Sequence, residues 1–187
     1  RIGEHVDRDN FARFLACMVW MSSYDGYLNN GQNFLLYLDP VTERWGFLPW
    51  DLDHAWGEFE GAGRMADREN ASIFKPSPLP NRFLDRMLAM ESFRTEYLRR
   101  LEDLSQTVFR PDRLCERIDA LAEVIRPALE VETPERLGRF EAAISEDVQM
   151  NTFQLKRFIH VRSLSVAGQL AGQNPGAEIR AGFRFRD

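Results

Sequence analysis

Three aspartates and a group of asparagines within one short segment are the residues of this chain best suited to chemistry. Asp25 lies in a polar loop, whereas Asp51 and Asp53 lie in the run Pro-Trp-Asp-Leu-Asp among Trp, Phe and Leu. Burying an unpaired carboxylate costs several kcal/mol, so acidic side chains in an aromatic surround indicate a compensating cation. The residues therefore predict a divalent metal ion that carries a phosphate.

The order of these residues matches one known scheme for phosphoryl transfer. In protein kinases a loop Asp accepts the proton of the substrate hydroxyl, a later Asn binds Mg²⁺, and an Asp further along binds the metal between the phosphates. Asp25 is then the candidate base, and Asp51, assisted by Asp53, is the candidate metal ligand. Asn33, where the loop turns into an apolar run, ranks ahead of Asn30, which keeps the kinase spacing from Asp25.

Two apolar runs connect the polar loop to the acidic motif. Residues 34–38 and 45–49 are rich in aromatic and aliphatic side chains, and the residues between them include Asp and Pro, which favour turns. The pattern predicts a β-hairpin over residues 33–51, with Asp51 at the end of its second strand.

This segment resembles the CotH family, the atypical secreted kinases named for a spore-coat protein. The resemblance rests on Asn33-Phe34, Leu36-Tyr37 and Pro49-Trp50-Asp51-Leu52-Asp53. It implies transfer of the ATP γ-phosphate, with Mg²⁺ or Mn²⁺, to a Ser or Thr of a protein substrate, at a cell or spore surface outside the cytoplasm. By the same resemblance Asp25 is the catalytic-loop Asp, Asp51 the metal Asp, and Trp45 an aromatic that packs against adenine.

The nucleotide-covering lobe of such kinases is not represented in the sequence. The residues before Asp25 have the pattern of one helix, and neither G-x-G-x-x-G nor G-x-x-x-x-G-K-[ST] occurs. Both lysines, Lys75 and Lys156, follow the acidic motif. We expect a protein-kinase-like C-terminal lobe whose N-terminal lobe belongs to the same longer protein, and which is inactive without it.

The remaining sequence predicts a mainly α-helical body. Apolar residues recur at helical spacing before the polar loop, with Asp9 as the expected N-cap, and again over residues 80–171. Residues 57–80 form a connection that is long for a compact domain. The predicted class is mainly α with a small β-hairpin (α+β), with a kinase-like lobe over residues 1–172 and a tail, or the start of a further domain, over residues 173–187.

Two local expectations concern the later part of the chain. Pro127 should disturb the helix that begins at Pro111, because proline lacks an N–H and clashes with the preceding turn. Alternating Phe and Arg over residues 183–186 predicts one strand.

Composition argues against two kinds of partner. The net charge of -5 disfavours nucleic acid, whose binding proteins carry basic patches. No apolar run approaches the roughly 20 residues that a membrane-spanning helix requires. The expected partner is the one that the CotH resemblance implies, a protein with a Ser or Thr acceptor.

Three functional classes stay open on the residues alone. The first is the kinase lobe, and the second is a metal-dependent phosphohydrolase that uses the same carboxylates. The third is a non-catalytic helical coat or surface module in which the motif only holds the hairpin. A Gly-rich hairpin and a Lys and Glu pair upstream in the full gene would favour the first.

Single residues also have alternative interpretations. Trp45 has the alternative of being a core residue. Asp51 has the alternative of capping a helix that starts at Leu52. His54 is either a further metal ligand or a partly exposed, hydrogen-bonded ring. The ring is preferred because catalytic zinc normally takes three protein ligands that are mostly His, and the chain has only three histidines, at positions 5, 54 and 160.

Overall fold

A computed structural model of the protein describes residues 2–147 and 152–180. Within these ranges the elements are, in order, α1 (Ile2–His5), α2 (Arg8–Trp20), β1 (Phe34–Leu38), β2 (Trp45–Pro49), a 3₁₀ turn (Glu60–Ala62), α3 (Met65–Glu69), α4 (Arg82–Ala89), α5 (Glu91–Gln106), α6 (Pro111–Glu130), α7 (Pro134–Ile144) and α8 (Leu155–Leu170). The prediction of a mainly helical protein with a small β-hairpin is confirmed. In the part of the chain that the structure describes, no helix combines the length and apolar character of a membrane span.

Helix α2 lies at the centre of the core and packs along α5. Its N-cap is Asp7, whose side chain accepts a hydrogen bond from the Asn10 N–H at 3.0 Å. The prediction of Asp9 as the cap is wrong, because Asp9 lies inside the first turn and pairs with Arg13 at 2.9 Å. The residues of α2 that are wholly buried are Phe11, Ala12, Leu15, Ala16 and Trp20.

A cluster of aromatic rings joins α2 to the hairpin. The ring centroid of Phe11 lies 4.6 Å from that of Phe47 in β2 and 5.5 Å from that of Phe93 in α5. Tyr27, from the loop before the hairpin, meets Phe11 edge-on at 5.8 Å. Such pairs contribute about 0.5–1.5 kcal/mol each beyond the area they bury. The loop, the hairpin and α2 therefore form one packed unit.

The hairpin is antiparallel and fastened to α2 by its second strand. Phe34 lies opposite Pro49 and Leu38 lies opposite Trp45. The side chain of Asn10, in α2, accepts a hydrogen bond from the Phe47 N–H at 2.6 Å. The predicted hairpin is confirmed, and its position on the helical body is fixed by a backbone contact.

Within the described residues the hairpin is covered only around Phe47, on part of one face. Side chains alternate between the two faces of a strand, and Phe47 points to the core. The other face exposes Leu35, Tyr37 and Leu48, each close to half exposed, and Trp50 next to it is 60% exposed. Strands that are apolar on both faces are typical of sheets covered on both sides. The hairpin thus presents an apolar surface to solvent.

The long connection over residues 57–80 is packed against the body. It contains the 3₁₀ turn and α3, and Ile73 is fully buried. Gly57, where the connection starts, has a φ of +73°, and a Cβ there would lie 2.4 Å from a ring carbon of Phe158 in α8. In its second half, Ser72 donates its N–H to the Ala177 carbonyl at 2.8 Å. The connection is therefore held at its start and again at Ser72.

One helix prediction is wrong and one strand prediction is not tested. Helix α6 continues through Pro127 to Glu130. The carbonyl that loses its hydrogen bond belongs to the exposed Glu123, where water can replace the donor, and packing on α7 and α8 holds the helix. Residues 183–186 lie outside the described residues.

Candidate functional site

Asp25 lies in the loop between α2 and β1, and three neutral side chains hold its carboxylate. Asn30 donates to Oδ1 at 2.7 Å, Gln32 donates to Oδ1 at 2.9 Å, and Asn33 donates to Oδ2 at 3.2 Å. Both oxygens are thereby oriented, and the residue is only partly buried. The carboxylate has a fixed direction and keeps access to solvent.

Asn33 links the Asp25 loop to the acidic motif after the hairpin. Its Nδ2 also donates to the Asp25 carbonyl at 2.7 Å, and its own carbonyl accepts the Trp50 N–H at 3.2 Å. Asn33 and Asp51 have left-handed φ values of 56° and 49°, at the two strand ends that lie side by side. Asn and Asp tolerate this conformation better than most residues, and such strained positions cluster at functional sites. The structure thus brings the loop of Asp25 and the start of the acidic motif to one end of the hairpin.

The oxygens at this end fit a hard divalent cation. Asn30 gives its amide nitrogen to Asp25, which leaves its Oδ1 buried with no donor among the described residues. An unpaired buried acceptor costs about 1–3 kcal/mol, and a cation or its hydration water would remove that cost. In the same ranges no three His, Cys, Asp or Glu side chains form a metal cluster, so a site here needs amide oxygens as well. Carboxylate and amide oxygens suit Mg²⁺ or Mn²⁺.

The two motif aspartates are differently engaged. Asp51 is exposed and its side chain makes no hydrogen bond within the described residues, whereas Asp53 Oδ1 accepts the His54 N–H at 2.9 Å. Turns, not a helix, follow Asp51, so its interpretation as the cap of a helix at Leu52 is wrong. The Asp51 carboxylate is available to a ligand.

His54 is a partly exposed ring held by carboxylates, as preferred from the sequence. Its Nδ1 is hydrogen-bonded to Glu58, and its Nε2 lies 3.8 Å from Asp53 Oδ2. The bond to Glu58 is the main cause that raises the pKa of His54 above its usual 6.5, and the charges of Glu58, Asp53 and Asp25 add to it. His54 therefore holds its proton to a higher pH than a free imidazole does, because its pKa is raised.

Trp45 lies at the other end of the hairpin from Asp51. Pro49 lies four residue steps further along the extended strand, roughly 13 Å at about 3.3 Å per residue. Trp45 is 41% exposed, so it is partly buried and partly open to solvent. It lines an apolar cleft of about 350 Å³ together with Tyr27 and Phe83. Burial raises the pKa of the Tyr27 hydroxyl to about 12, so this group is neutral.

The sequence from Arg1 onwards matches a known family over almost its whole length. Residues 1–166 match the sequence model of the family described as CotH kinase protein. The chain belongs to the CotH family. A curated relative, Inner spore coat protein H of Bacillus subtilis (strain 168), is 34% identical over 127 residues, which cover 67% of this chain and 33% of that protein. The chain spans about a third of the length of this relative, and the CotH resemblance predicted from the motif is confirmed.

Two residues of this CotH-family site were not selected from the sequence. Gln32 supplies one of the three donors to Asp25, and its position beside Asn33 in the polar loop was the available signal. Glu58 holds His54 four residues away, a spacing that indicates contact only where the chain is helical or tightly turned.

Proposed function

We propose that this CotH-family chain is the metal-binding and base-carrying lobe of a kinase that transfers the γ-phosphate of ATP to a Ser or Thr of a protein. The observation that carries the proposal is the hydrogen-bonded connection from Asp25 through Asn33 to the strand end before Asp51. It joins a candidate base to a candidate metal ligand at one end of the hairpin, as phosphoryl transfer requires.

Asp25 is the proposed base. The three amide donors hold its carboxylate in one direction, and its partial exposure leaves room for a substrate hydroxyl. A positioned general base contributes typically about 10²- to 10⁴-fold to a rate. Asp25 accepts the hydroxyl proton as the oxygen bonds to the γ-phosphorus, and the bond from that phosphorus to the β-phosphate oxygen breaks so that ADP leaves.

Asp51 and Asn33 are the proposed primary metal ligands, with Asp53 and Asn30 as secondary ones. Asp51 is free of protein partners among the described residues, whereas Asp53 already holds the His54 N–H. Mg²⁺ or Mn²⁺, when bound, neutralises charge on the phosphate oxygens. The ligands are oxygen atoms throughout, which this chemistry prefers.

Trp45 is the proposed contact for adenine. Its half-exposed ring opens onto the apolar cleft, and its distance along the strand from the acidic motif allows an extended nucleotide to lie beside the hairpin. The aromatic rings of Tyr27 and Phe83 line the same cleft and give it an apolar wall. The adenine contact would then come from this chain and the phosphate cover from another part of the protein.

The exposed apolar face of the hairpin supports a missing covering part. Leu35, Tyr37 and Leu48 are close to half exposed on a strand pair whose composition is typical of a doubly covered sheet. The chain also spans about a third of its curated relative. We propose that the N-terminal lobe of the same longer protein covers the site, and that the protein acts at the spore surface, as the name of that relative suggests.

The test uses the full-length protein with γ-labelled ATP, Mg²⁺ or Mn²⁺, and a mixture of Ser- and Thr-containing peptides. We expect label in protein or peptide, a loss of at least about 10²-fold in Asp25→Asn, and no loss in Asp85→Asn, an exposed aspartate of α4. Equal transfer by Asp25→Asn would remove Asp25 as the base. Release of free phosphate without transfer would favour the phosphohydrolase instead.

A second test uses the 187-residue chain alone, without the rest of the proposed longer protein. We expect weak metal-dependent ATP binding by calorimetric titration and no peptide labelling, because the phosphate-binding Lys and the cover over the nucleotide are missing from it. Robust transfer by the isolated chain would contradict the need for a second lobe.

A further inference from the structure

A positively charged side chain lies fully buried in α8 with no negatively charged partner among the described residues. Arg162, in α8, has no solvent exposure. Among the described residues no carboxylate pairs with it, and all three of its hydrogen bonds go to backbone carbonyls. A buried charge normally requires a countercharge. Its presence here calls for a specific role.

The three carbonyls belong to two segments that are far apart in the sequence. Arg162 Nη2 donates to the Val19 carbonyl at 2.8 Å and Nε donates to the Trp20 carbonyl at 3.0 Å, both in the last turn of α2. Nη1 donates to the Ala71 carbonyl at 2.6 Å, in the connection that follows the acidic motif. One guanidinium therefore joins the end of α2 to the connection over residues 57–80.

The helix end explains how the charge is tolerated. The last carbonyls of a helix lack partners within the helix and carry the negative end of its dipole, which favours a cation. Burial lowers the pKa of Arg162 to about 10, and the nearby Tyr24 and Tyr97 partly oppose this shift. The side chain stays charged at neutral pH, and its planar fork reaches all three oxygens, which a single ammonium cannot do.

A second hydrogen bond also joins the segment after α2 to the connection over residues 57–80, and we call this region of contact the buried junction. Ser22, buried and with a φ of 47°, donates its hydroxyl to the Arg68 carbonyl at 2.8 Å. Ser22 lies between the end of α2 and Asp25, and Arg68 lies in α3 of the connection. The chain segment before Asp25 and the segment after Asp53 are thus bonded to each other.

We propose that Arg162 and Ser22 are positioning residues for phosphoryl transfer, which fix the backbone leading to Asp25 against the connection that follows Asp53. The inference rests on the proposed function of Asp25. The guanidinium sets where α2 ends, and the Ser22 hydroxyl sets how the chain leaves it. Neither side chain touches the reacting groups, so each acts through the placement of the Asp25 carboxylate.

The experiment compares Arg162→Lys with wild type in the full-length protein, at a temperature where both are folded by circular dichroism. Misplaced catalytic groups lose rate more than substrate binding, so we expect kcat to fall by about tenfold or more, with little change in KM for ATP. Hydrogen exchange of the amides of residues 21–25 should become faster. Lys156→Met is the matched control, because Lys156 is a buried cation of the same helix that pairs instead with Asp119 at 2.7 Å. It should leave kcat unchanged.

The outcomes separate this inference from the proposed function. Wild-type kcat in folded Arg162→Lys, or an equal loss in Lys156→Met, would overturn the positioning role. If wild type transfers no phosphate, the proposed function fails. In that case the hydrogen-exchange result still tests the positioning role, because unchanged amide exchange over residues 21–25 in Arg162→Lys would overturn it. If Arg162→Lys does not fold, Ser22→Ala decides: we expect a fall in kcat of about threefold, and a wild-type kcat would refute the inference.

Discussion

Asp25 and Arg162 are each held by three hydrogen bonds, but from opposite kinds of partner. The Asp25 carboxylate accepts from three side-chain amides and stays partly exposed. The Arg162 guanidinium donates to three backbone carbonyls and is fully buried. Side-chain partners can turn away when a ligand arrives, whereas backbone partners fix the path of the chain. The hydrogen bonds around Asp25 can therefore rearrange when a ligand binds, whereas those around Arg162 hold the backbone in one place.

The comparison predicts two kinds of mutational effect. Substitutions around the acidic motif should lower activity and leave the free energy of unfolding unchanged, because the side chains there are exposed or partly exposed to solvent. Changes at the buried junction should lower stability first, because each lost bond leaves a buried polar group unpaired.

The largest expected effect is on the metal ligands. In the full-length protein, Asp51→Asn should lower metal-dependent transfer by at least about 10²-fold, the size of losing one contact to transition-state charge, with an unchanged melting temperature. Asp53→Asn should lose less, because Asp53 also holds the His54 N–H. The control is Glu43→Gln in the exposed hairpin turn. An equal or larger loss at Asp53 would mean that the two roles are reversed.

The next effect tests the buried junction. Gln169 is fully buried, and its side chain accepts the Ile73 N–H at 2.9 Å and donates to the Ala71 carbonyl at 3.2 Å. Gln169→Met keeps the length but leaves these groups unpaired, so the free energy of unfolding should fall by roughly 2 kcal/mol. Urea unfolding measures it, with the exposed Gln173→Met as control. If Gln169→Met is as stable as wild type, the hydrogen bonds of Gln169 do not stabilise the buried junction.

A smaller effect is expected at Trp45. Trp45→Ala should raise the KM for ATP about fivefold and spare kcat, because an aromatic contact is worth about 1 kcal/mol. Trp50→Ala, on the exposed side of the motif, is the control and should leave KM unchanged. If Trp45 serves the core instead, its loss should lower the free energy of unfolding by about 3–5 kcal/mol without a selective rise in KM.

The smallest effect concerns pH. The raised pKa of His54 means that its stabilising contribution is fully present below the usual value of 6.5 and is lost as pH rises through the folded value. Because the ring is 46% exposed, solvent screening keeps this contribution below about 1 kcal/mol. An NMR titration of His54 should show a midpoint above 6.5 that falls in Glu58→Gln. A midpoint unaffected by Glu58→Gln would contradict the assigned cause.

The hairpin could be predicted from the sequence because its signals are local. Two apolar runs, a turn and an Asp directly after the second run define it without knowledge of the rest of the fold. The cap of α2 was misassigned for an equally local reason. Asp7 and Asp9 are both suitable residues, and only the backbone direction at Asp7 shows which one precedes the first turn.

The junction around Arg162 could not be predicted in the same way. An Arg within a helix usually extends to solvent, and the partners of this one are carbonyls, which every residue carries. No sequence pattern distinguishes the Val19 carbonyl from any other. The same holds for the pairing of Glu58 with His54, which depends on how turns after the motif fold back.

Gly57 and Phe158 illustrate how the motif is coupled to residues a hundred positions away. Any side chain at position 57 would enter the space of the Phe158 ring, and its left-handed φ already disfavours most residues. A larger residue at 57 is therefore acceptable only with a smaller one at 158 and a relaxed backbone. Across relatives these two positions should vary together, and a phenylalanine at the second should coincide with glycine at the first. The residue at position 158 of α8 is thus constrained by the backbone conformation at position 57, just after the acidic motif.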